Sequence, residues 1–350
     1  FKDSKVVITG HTGFKGSWLS LLLKQMGAQV IGISNLVPTK PSHFETARIQ
    51  NLVQDIRLDI RDLEKLSETI SRIKPDYLFH LAAQPIVNES IKNPIDTWNI
   101  NTMGTVNILQ SLLNLDNPCI GILITSDKAY DNQEWIWGYK ETDRIGGGDP
   151  YSASKGGAEL AISSYFRSFF KNSGNIKIAI GRAGNVVGGG DWALNRIVPD
   201  CIRSWQNRSS VKIRNPYSTR PWQHVLEPLS GYISLATSLY LSNKINGQAF
   251  NFGPSLEENK TVVDVVESLS KHFDFSNYEI EKQKVNEDKE SKLLKLNCEK
   301  ALAYLNWKAQ FSFPETISKT AIWYKTFLTN PDKILDLSTS QITDYIERIS

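Results

Sequence analysis

The amino-acid sequence predicts an α/β fold with a doubly wound parallel sheet. Up to about residue 185, short apolar runs alternate with segments whose apolar residues recur at helical spacing. The short runs are apolar at nearly every position, as burial of a sheet on both faces requires. A glycine-rich turn, TGHTGFKG, follows the first run and opens the first helix. Strands that alternate with helices in this way are typical of parallel βαβ units.

Each predicted strand and helix of the first half has its own pattern. KVVITG is a β-branched run that ends in glycine, and FKGSWLSLLLKQMG places Phe14, Trp18 and Leu22 at helical spacing before Gly27. The later predicted strands are QVIGIS, IRLDI (56–60), YLFHLAA, CIGILITSD and IKIAIGRAG, and the later predicted helices are Asp62–Ile73, Pro94–Leu115 and Tyr151–Lys171.

The glycine turn predicts a phosphate-binding site. Gly10 permits a tight turn, Gly13 lets the backbone approach a pyrophosphate, and Gly16 allows close contact between helix and strand. The helix N-terminus then faces the anion. The spacing is GxxGxxG, so a purely structural turn is the alternative. The other residues of the turn that we expect at the cofactor are Thr12, Phe14 and Lys15.

The ribose-reading position leaves the choice between NAD and NADP open on chemistry alone. The second strand is followed by Ser34 and Asn35, with no carboxylate, and Lys40 lies well beyond the strand end. The residues expected along the cofactor are Asp59 and Ile60 at the end of the third strand, near the adenine, and Ala82, Ala83 and Gln84 at the end of the fourth.

A change in composition predicts the domain organisation. After about residue 186, glycine, asparagine, arginine, tryptophan and proline become dense. We predict a Rossmann-type cofactor-binding domain in residues 1–185, to which residues 247–255 (with AFNFG) return, and a smaller mixed α/β substrate-binding domain in residues 186–246 and 256–340. A helix is predicted at 226–242, and the charged stretch EKQKVNEDKESK (281–292) is predicted to be solvated.

The composition excludes several classes of protein. A net charge of +3 without basic runs is unlike a nucleic-acid-binding protein. No stretch approaches the roughly 20 apolar residues that span a bilayer, and no grouping of His, Cys and Asp has metal-ligand spacing. We expect a cytoplasmic protein whose three cysteines are reduced thiols: Cys119, Cys201 and Cys298.

A tyrosine and a lysine four residues apart predict proton chemistry. YSASK places Tyr151 and Lys155 on one face at the start of a helix. An ammonium beside a phenol favours the phenolate, so we expect the pKa of Tyr151 to lie below about 10. The phenolate takes a proton from a sugar hydroxyl, and Ser126, at the end of an earlier strand, can hydrogen-bond the same hydroxyl. The YxxxK spacing alone is a weak signal; the glycine turn and Ser126 strengthen it.

These motifs carry a family resemblance. By TGHTGFKG, LAAQ, TSDKAY and YSASK the chain resembles the extended short-chain dehydrogenase/reductases. By GHTGFKGSWL, TSDKAYDNQEWIWGY, RAGNVVGGGDWA, RNPYSTRPWQHVLEPLSGY and NFGP it resembles, more narrowly, their CDP-glucose 4,6-dehydratase branch. The resemblance implies a lyase with tightly held NAD, a CDP-glucose substrate and a deoxysugar product of the kind found in lipopolysaccharide O-antigens.

The reaction that the resemblance implies has three stages. C4 of the glucosyl unit is oxidised with help from Tyr151, Lys155 and Ser126; water is lost across C5 and C6; and hydride returns to C6. Elimination needs an acid and a base. Asp127 is the expected acid, which requires a pKa raised by burial, with a loop cap as its structural alternative. Lys128 is either the C5 base or a partner that tunes Asp127.

Substrate contacts are expected after the sixth predicted strand. Arg182 and Asn185 follow at its end, and Arg220 is a good bidentate donor for a pyrophosphate. Trp192 and Trp222 either stack on the substrate or fill the core. The remaining candidates are Arg196 and Arg214, each also suited to a surface ion pair, and His224, for which a structural role competes.

In the resembled family two long helices pair across a dimer interface, so a homodimer or homotetramer is expected. Burial against the parent sheet is the competing interpretation. The candidate interface residues are Trp98, Val106, Leu109 and Leu113 on the first helix, and Phe166, Phe169 and Phe170 on the second.

Two other functions compete with the dehydratase. A 4-epimerase or simple reductase of the same fold would reuse Tyr151 and Ser126 but would not need Asp127 and Lys128 as an acid and base. A non-catalytic dinucleotide-sensing module would not need the tyrosine–lysine pair, which this chain has. Fold alone does not separate these functions.

Overall fold

A computed structural model describes residues 1–256, 258, 260–281 and 293–349. The predicted solvated stretch from 281 to 292 lies outside the described residues except for its first residue. The strands of the described residues are β1 Lys5–Thr9, β2 Gln29–Ile33, β3 Gln54–Ile56, β4 Tyr77–His80, β5 Cys119–Ile124, β6 Ile176–Ala183, β7 Val186–Val187, β8 Val211–Ile213, β9 Thr219–Arg220, β10 Gln223–His224, β11 Ala249–Phe252, β12 Lys260–Thr261 and β13 Tyr278–Ile280.

The main sheet has seven strands in the order β11-β6-β5-β4-β1-β2-β3. Every pairing in it is parallel. The strand order reverses between β1 and β4, which is where ligands bind in doubly wound sheets. The predicted fold class is therefore confirmed. The late strand β11 pairs with β6, so AFNFG does return to this sheet.

Helices cover the sheet and build the smaller part of the molecule. Residues Asn99–Met103 and Phe166–Phe170 are π-helical turns, which interrupt the two long helices predicted from Pro94 and Tyr151. The helices are α1 Phe14–Gln25, α2 His43–Thr46, α3 Leu63–Ile73, α4 Val87–Lys92, α5 Pro94–Trp98, α6 Gly104–Leu113, α7 Pro150–Tyr165, α8 Ile197–Gln206, α9 Leu226–Leu241, α10 Val262–Ser270, α11 Glu299–Leu305, α12 Phe313–Thr329 and α13 Ile334–Ile349.

The prediction of the third strand at 56–60 was wrong. β3 ends at Ile56, and the chain turns where the Asp59 carboxylate accepts the Arg61 backbone N–H at 2.9 Å and the Asp59 carbonyl accepts the Asp62 N–H at 3.1 Å. A short polar side chain that bonds its own backbone favours a turn over a strand. Asp59 and Ile60 therefore lie beyond the strand end.

Most buried side chains fall into two large clusters, one on each face of the sheet, and a small third cluster contains Tyr130, Tyr139, Leu294 and Leu296. The larger cluster joins Trp18 of α1 to Trp192, Phe311 and Trp323. It therefore spans both predicted domains, and the division into two domains stays a prediction. The other large cluster contains Ile108 and many aliphatic side chains of β4, β5, α3 and α6.

The predicted interface residues divide between core and surface. Leu109 and Phe170 are fully buried, so their assignment to an interface was wrong. They are core residues because α6 and the turn after α7 pack these side chains against the sheet. Trp98 and Phe169 are exposed.

Cys119 and Cys201 are buried and Cys298 is half-buried, all three as free thiols. Within the described ranges, the helices are all too short or too polar to cross a membrane.

Gly189 packs tightly against Trp323 on one of the C-terminal helices. A Cβ at this position would lie 1.9 Å from Cγ of Trp323, on α12. The Gly189 carbonyl accepts the indole N–H of Trp18 at 2.9 Å. Both tryptophans are fully buried, so neither ring can move aside without disturbing the core.

We expect Gly189→Ala to lower the free energy of unfolding by about 2 kcal/mol, because the added methyl overpacks the site against Trp323. Urea unfolding followed by tryptophan fluorescence measures the change. Gly174→Ala is the matched control: no atom lies within 4 Å of its Cβ position, so its stability should be unchanged or rise by less than about 1 kcal/mol. Equal stabilities of the two variants would contradict this packing argument.

Candidate active site

A large cleft of about 2310 Å³ opens at the carboxyl ends of the central strands. It is lined by the glycine turn, the residues after β2, β4, β5 and β6, and the start of α7. The cleft therefore lies at the reversal of strand order, where the fold was expected to bind its ligand.

The three glycines of the turn have different environments. Gly10 has φ +75° and a Cβ there would lie 2.7 Å from the Ala82 nitrogen. A Cβ at Gly16 would lie 2.1 Å from the Gly10 carbonyl oxygen. At Gly13 the nearest atom is 3.4 Å away. Gly10 and Gly16 are thus required by the turn itself, whereas Gly13 leaves room in front of the N-terminus of α1, as an anionic phosphate needs.

The residues predicted along a cofactor line this cleft, although two are placed differently from the prediction. Thr12 donates its hydroxyl hydrogen to the Leu36 carbonyl at 2.7 Å and therefore accepts from the Ser34 hydroxyl at 2.9 Å. Asp59 pairs with Arg61 at 2.7 Å, and that bond lowers the pKa of the carboxyl. The cleft-lining members of the predicted set are Gly10, Thr12, Gly13, Phe14, Lys15, Gly16, Asp59, Ile60, Ala82, Ala83, Gln84, Tyr151 and Lys155.

The Ser126 side chain hydrogen-bonds the two residues that follow it. Its hydroxyl donates to Asp127 at 3.0 Å and accepts the backbone N–H of Lys128 at 3.2 Å, which caps a short 3-10 turn. Ser126 and Tyr151 both line the cleft, and the Ser126 hydroxyl opposes the rise of the Tyr151 pKa. TSDK and the YSASK motif, far apart in sequence, are therefore brought together.

Asp127 carries a buried carboxyl oxygen that has no partner. Oδ1 accepts the Ser126 hydroxyl, while Oδ2 has no hydrogen bond within the described structure. Burial raises the pKa of this carboxyl, and the charges of Lys128, Lys15 and Arg220 oppose the rise. Ser126, and not Asp127, caps the turn, so the loop-cap alternative does not explain Asp127. A buried carboxyl of raised pKa suits a general acid.

Tyr151 and Lys155 lie together at the start of α7. The Asp149 carboxylate accepts the Ser152 N–H at 3.0 Å, and Pro150 occupies the first turn, so the helix begins just before the tyrosine. Burial raises the pKa of Tyr151 to about 12 and lowers that of Lys155 to about 8. The expected lowering of the Tyr151 pKa was therefore wrong for the protein itself, because loss of hydration outweighs the stabilising charges.

Two predicted substrate residues do not reach the cleft. Arg182 is buried and its guanidinium is bound to Glu159 at 2.5 Å and to the Tyr130 hydroxyl at 2.7 Å. His224 is fully buried between Trp18 and Phe311, and burial lowers its pKa to about 3. Their assignment to the substrate was wrong: both point into the protein from the ends of short or central strands.

The other predicted substrate residues do line the cleft. Arg196 pairs with Asp191 at 2.9 Å, which also matches the alternative of an ordinary ion pair. Arg220 is buried and donates to the Thr219 carbonyl at 2.8 Å. The cleft-lining residues of this group are Asn185, Arg196, Arg214, Arg220, Trp192 and Trp222.

Asn101 was missed by the sequence analysis. It lies in the π-helical turn between α5 and α6 and is buried. Its side chain donates to Ser154 of α7 at 2.9 Å and to the Gln84 carbonyl at 3.1 Å, and it accepts the Gln84 N–H at 2.8 Å. It therefore joins the loop after β4 to the helix of Tyr151. An asparagine inside an otherwise regular helical pattern gave no signal of this position.

Comparison with known proteins shows the family of the chain. A sequence model described as GDP-mannose 4,6 dehydratase matches residues 7–320. The chain belongs to this family. It is 45% identical to CDP-glucose 4,6-dehydratase of Salmonella typhimurium over 99% of this chain and 97% of that protein. The predicted resemblance to nucleotide-sugar 4,6-dehydratases is thereby confirmed.

Solved structures confirm the fold. A UDP-glucose 4-epimerase from Stenotrophomonas maltophila, solved with NAD and a UDP-sugar, superposes with a TM-score of 0.81 at 20% identity, covering 93% of this chain and 99% of that one. A dTDP-glucose 4,6-dehydratase from Bacillus anthracis, solved with NAD, has a TM-score of 0.76 at 18% identity, covering 95% and 99%. Among the described residues of this chain, no group of His, Cys, Asp and Glu is placed to hold a metal ion.

We expect Gly13→Ala to separate cofactor binding from folding. Because its Cβ would have only ordinary contacts, the free energy of unfolding should change by less than about 0.5 kcal/mol, while a bound dinucleotide is lost from the purified protein. Gly16→Ala is the comparison, since its Cβ would collide with Gly10 and should lower stability as well. Urea unfolding and the absorbance of released dinucleotide measure the two effects; a fully loaded Gly13→Ala protein would contradict this assignment.

Proposed function

We propose that the protein is a CDP-glucose 4,6-dehydratase that converts CDP-glucose to CDP-4-keto-6-deoxyglucose. The observation that carries this proposal is the buried, partnerless carboxyl oxygen of Asp127 beside Ser126 and Tyr151. Hydride transfer alone needs no acid here, whereas expulsion of a hydroxyl does. The nucleotide is inferred from the 45% identity to the Salmonella enzyme of that name.

We propose NAD as the cofactor. The open space at Gly13 fits a phosphate, and two of the solved relatives named above hold NAD. The residues of 34–39 that line the cleft carry no basic side chain, and a 2′-phosphate of NADP would need one. Lys40 is exposed and is not among the described residues of the cleft wall. When bound, NAD would supply the hydride acceptor for C4 and the hydride donor for C6, and would end the reaction unchanged.

Tyr151, Ser126 and Lys155 carry out the first step, which is the oxidation of C4. The phenol oxygen takes the proton from O4 of the sugar as the C4–H bond breaks, leaving a C4 ketone. Because burial holds the pKa of Tyr151 at about 12 in the protein itself, the Lys155 ammonium has to stabilise the phenolate. Ser126, which lines the same cleft and lowers the pKa of Tyr151, orients the same hydroxyl.

Asp127 is the acid of the second step, which is the loss of water across C5 and C6. The C4 ketone acidifies the C5 proton; a base removes it, the C5–C6 double bond forms, and the C6 hydroxyl leaves as water with the proton of Asp127. Burial raises the pKa of Asp127, so the proton is held until it is needed. Lys128 lowers that pKa, which supports its tuning role; its role as the C5 base is tested by Lys128→Arg, which keeps the charge but cannot deprotonate.

The remaining expectations stay part of the proposal. A homodimer or homotetramer would cover the exposed apolar side chains on α5 and α7, such as Trp98 and Leu160. A cytoplasmic location and a product destined for O-antigen synthesis follow from the resemblance alone.

We expect the purified protein to convert CDP-glucose to a 4-keto sugar, detected by its base-labile ultraviolet absorbance. UDP-, GDP- and dTDP-glucose are the comparison substrates and should react at least about tenfold more slowly, a difference of about 1.4 kcal/mol in transition-state binding. Interconversion of epimers without keto sugar would favour the 4-epimerase. The absence of product from every nucleotide-glucose would overturn the proposal.

Two variants should stop the reaction at different stages. Asp127→Asn cannot supply the proton to the leaving hydroxyl, so reduced nicotinamide should accumulate on the enzyme while turnover falls about 10²–10⁴-fold. Tyr151→Phe should block the first hydride transfer, so no reduced nicotinamide should form. Absorbance during a single turnover distinguishes the two. Normal turnover by Asp127→Asn would show that the acid is another group.

A further inference from the structure

Arg182 and Glu159 form a buried ion pair next to the residues that are proposed to react. The Arg182 guanidinium donates to both oxygens of Glu159, from Nε at 2.7 Å and from Nη2 at 2.5 Å. The two side chains are 4% and 5% exposed. A pair so deeply buried is costly unless further hydrogen bonds satisfy it, and here the neighbours do so.

The neighbours of the pair belong to the elements that carry the reactive residues. Glu159 lies on α7, one turn beyond Lys155 and two turns beyond Tyr151. Its Oε1 also accepts the hydroxyl of Thr125 at 2.6 Å, and Thr125 directly precedes Ser126. Glu159 therefore ties the helix of the phenol to the strand end of the serine.

Arg182 connects the same hydrogen-bond network, through Tyr130, to the edge strand β11. It donates from Nη1 to the Tyr130 hydroxyl at 2.7 Å and to the Glu141 carbonyl at 3.2 Å. Tyr130 in turn donates to Asn251 of β11 at 2.8 Å. The segment that follows Asp127 is thus held by the strand that returns late in the chain.

The charge of Glu159 also acts on Lys155. Burial lowers the pKa of Lys155, and the Glu159 carboxylate opposes this. The other ionisable groups that face Lys155 include Tyr151, one turn before it on α7, Lys15 of the glycine turn and His80 of β4. His80 is neutral, since burial lowers its pKa to about 3. Glu159 is accordingly the anion closest in effect to Lys155, and Arg182 neutralises it.

We propose that Glu159 and Arg182 are a positioning pair, which fixes the helix of Tyr151 against the strand end of Ser126 and keeps Lys155 from pairing with Glu159. This inference rests on the proposed function. The pair touches neither substrate nor cofactor; it acts through Thr125 and Lys155. Without Arg182, the buried carboxylate would turn to the ammonium on its own helix. Without Glu159, that ammonium would lose the carboxylate that opposes the lowering of its pKa.

The test is the pH dependence of C4 oxidation, measured as single-turnover formation of reduced nicotinamide by the holoenzyme. The rate falls at alkaline pH as Lys155 loses its proton. Arg182→Met leaves Glu159 to raise the pKa of Lys155, so the alkaline limb should move up by about one pH unit. Glu159→Gln removes the charge that raises this pKa, so the limb should move down by about the same amount.

The double variant Glu159→Gln/Arg182→Met completes the cycle. It leaves no unpaired buried charge, so it should fold even where a single variant does not, and its alkaline limb should lie near that of the unmodified enzyme. Its oxidation rate should still fall about tenfold, because the two bonds from Arg182 are lost and the Thr125 hydroxyl meets a neutral amide oxygen in place of the carboxylate.

Glu227→Gln is the control for general destabilisation. Glu227 is a buried carboxylate remote from Lys155 that accepts the Phe311 N–H and the Tyr345 hydroxyl, so its loss should lower stability and leave the limb in place. Shifts of both single variants in one direction, no shift in either, or a displaced limb in the double variant would overturn the proposal. Failure of the unmodified enzyme to form keto sugar would instead overturn the proposed function.

Discussion

Loss of hydration at the carboxyl ends of β5 and β6 is the constraint on which the site depends. It raises the pKa values of Asp127 and Tyr151 and lowers those of Lys15 and Lys155. Burial favours the neutral form of each group, so protons stay on the acids and leave the amines more readily than in water. The few fixed hydrogen bonds and charges then decide which group is held as an ion. The Ser126 hydroxyl opposes the rise of the pKa of both Asp127 and Tyr151.

The sheet supplies the geometry that this chemistry needs. Parallel strands deliver their carboxyl ends to a single edge, so the turn after β1 and the residues after β5 face one cleft although they are far apart in sequence. The helix α7 then adds Tyr151 and Lys155 from the side. Asn101 and Glu159 fasten this helix at two points, to the loop after β4 and to the end of β5. The reactive groups are therefore held by buried hydrogen bonds and not by the loops themselves.

The sequence was sufficient for the central strands and for the residues that share a motif. Continuous apolar runs identify strands buried on both faces, and TSDK and YSASK are each local. It was insufficient where the direction of a side chain or the end of a strand depends on residues that are distant in the sequence. Nothing local distinguishes an arginine that points into a cleft from Arg182, which meets Glu159 from another helix. The end of β3 failed for a related reason, since the Asp59 turn competes with an edge strand that has only one neighbour.

Because Arg182 binds Glu159 and does not reach the cleft, its positive charge neutralises a buried carboxylate of the protein. The proposed reaction needs a phenol that takes a proton and a carboxyl that gives one within the same cleft. A further buried carboxylate, that of Glu159, would disturb both through Lys155 if it were not neutralised. Arg182 neutralises it with two hydrogen bonds and is itself held by Tyr130. The pair thus separates the charge that anchors the fold from the charges that move protons, although both lie within the same few turns of one helix.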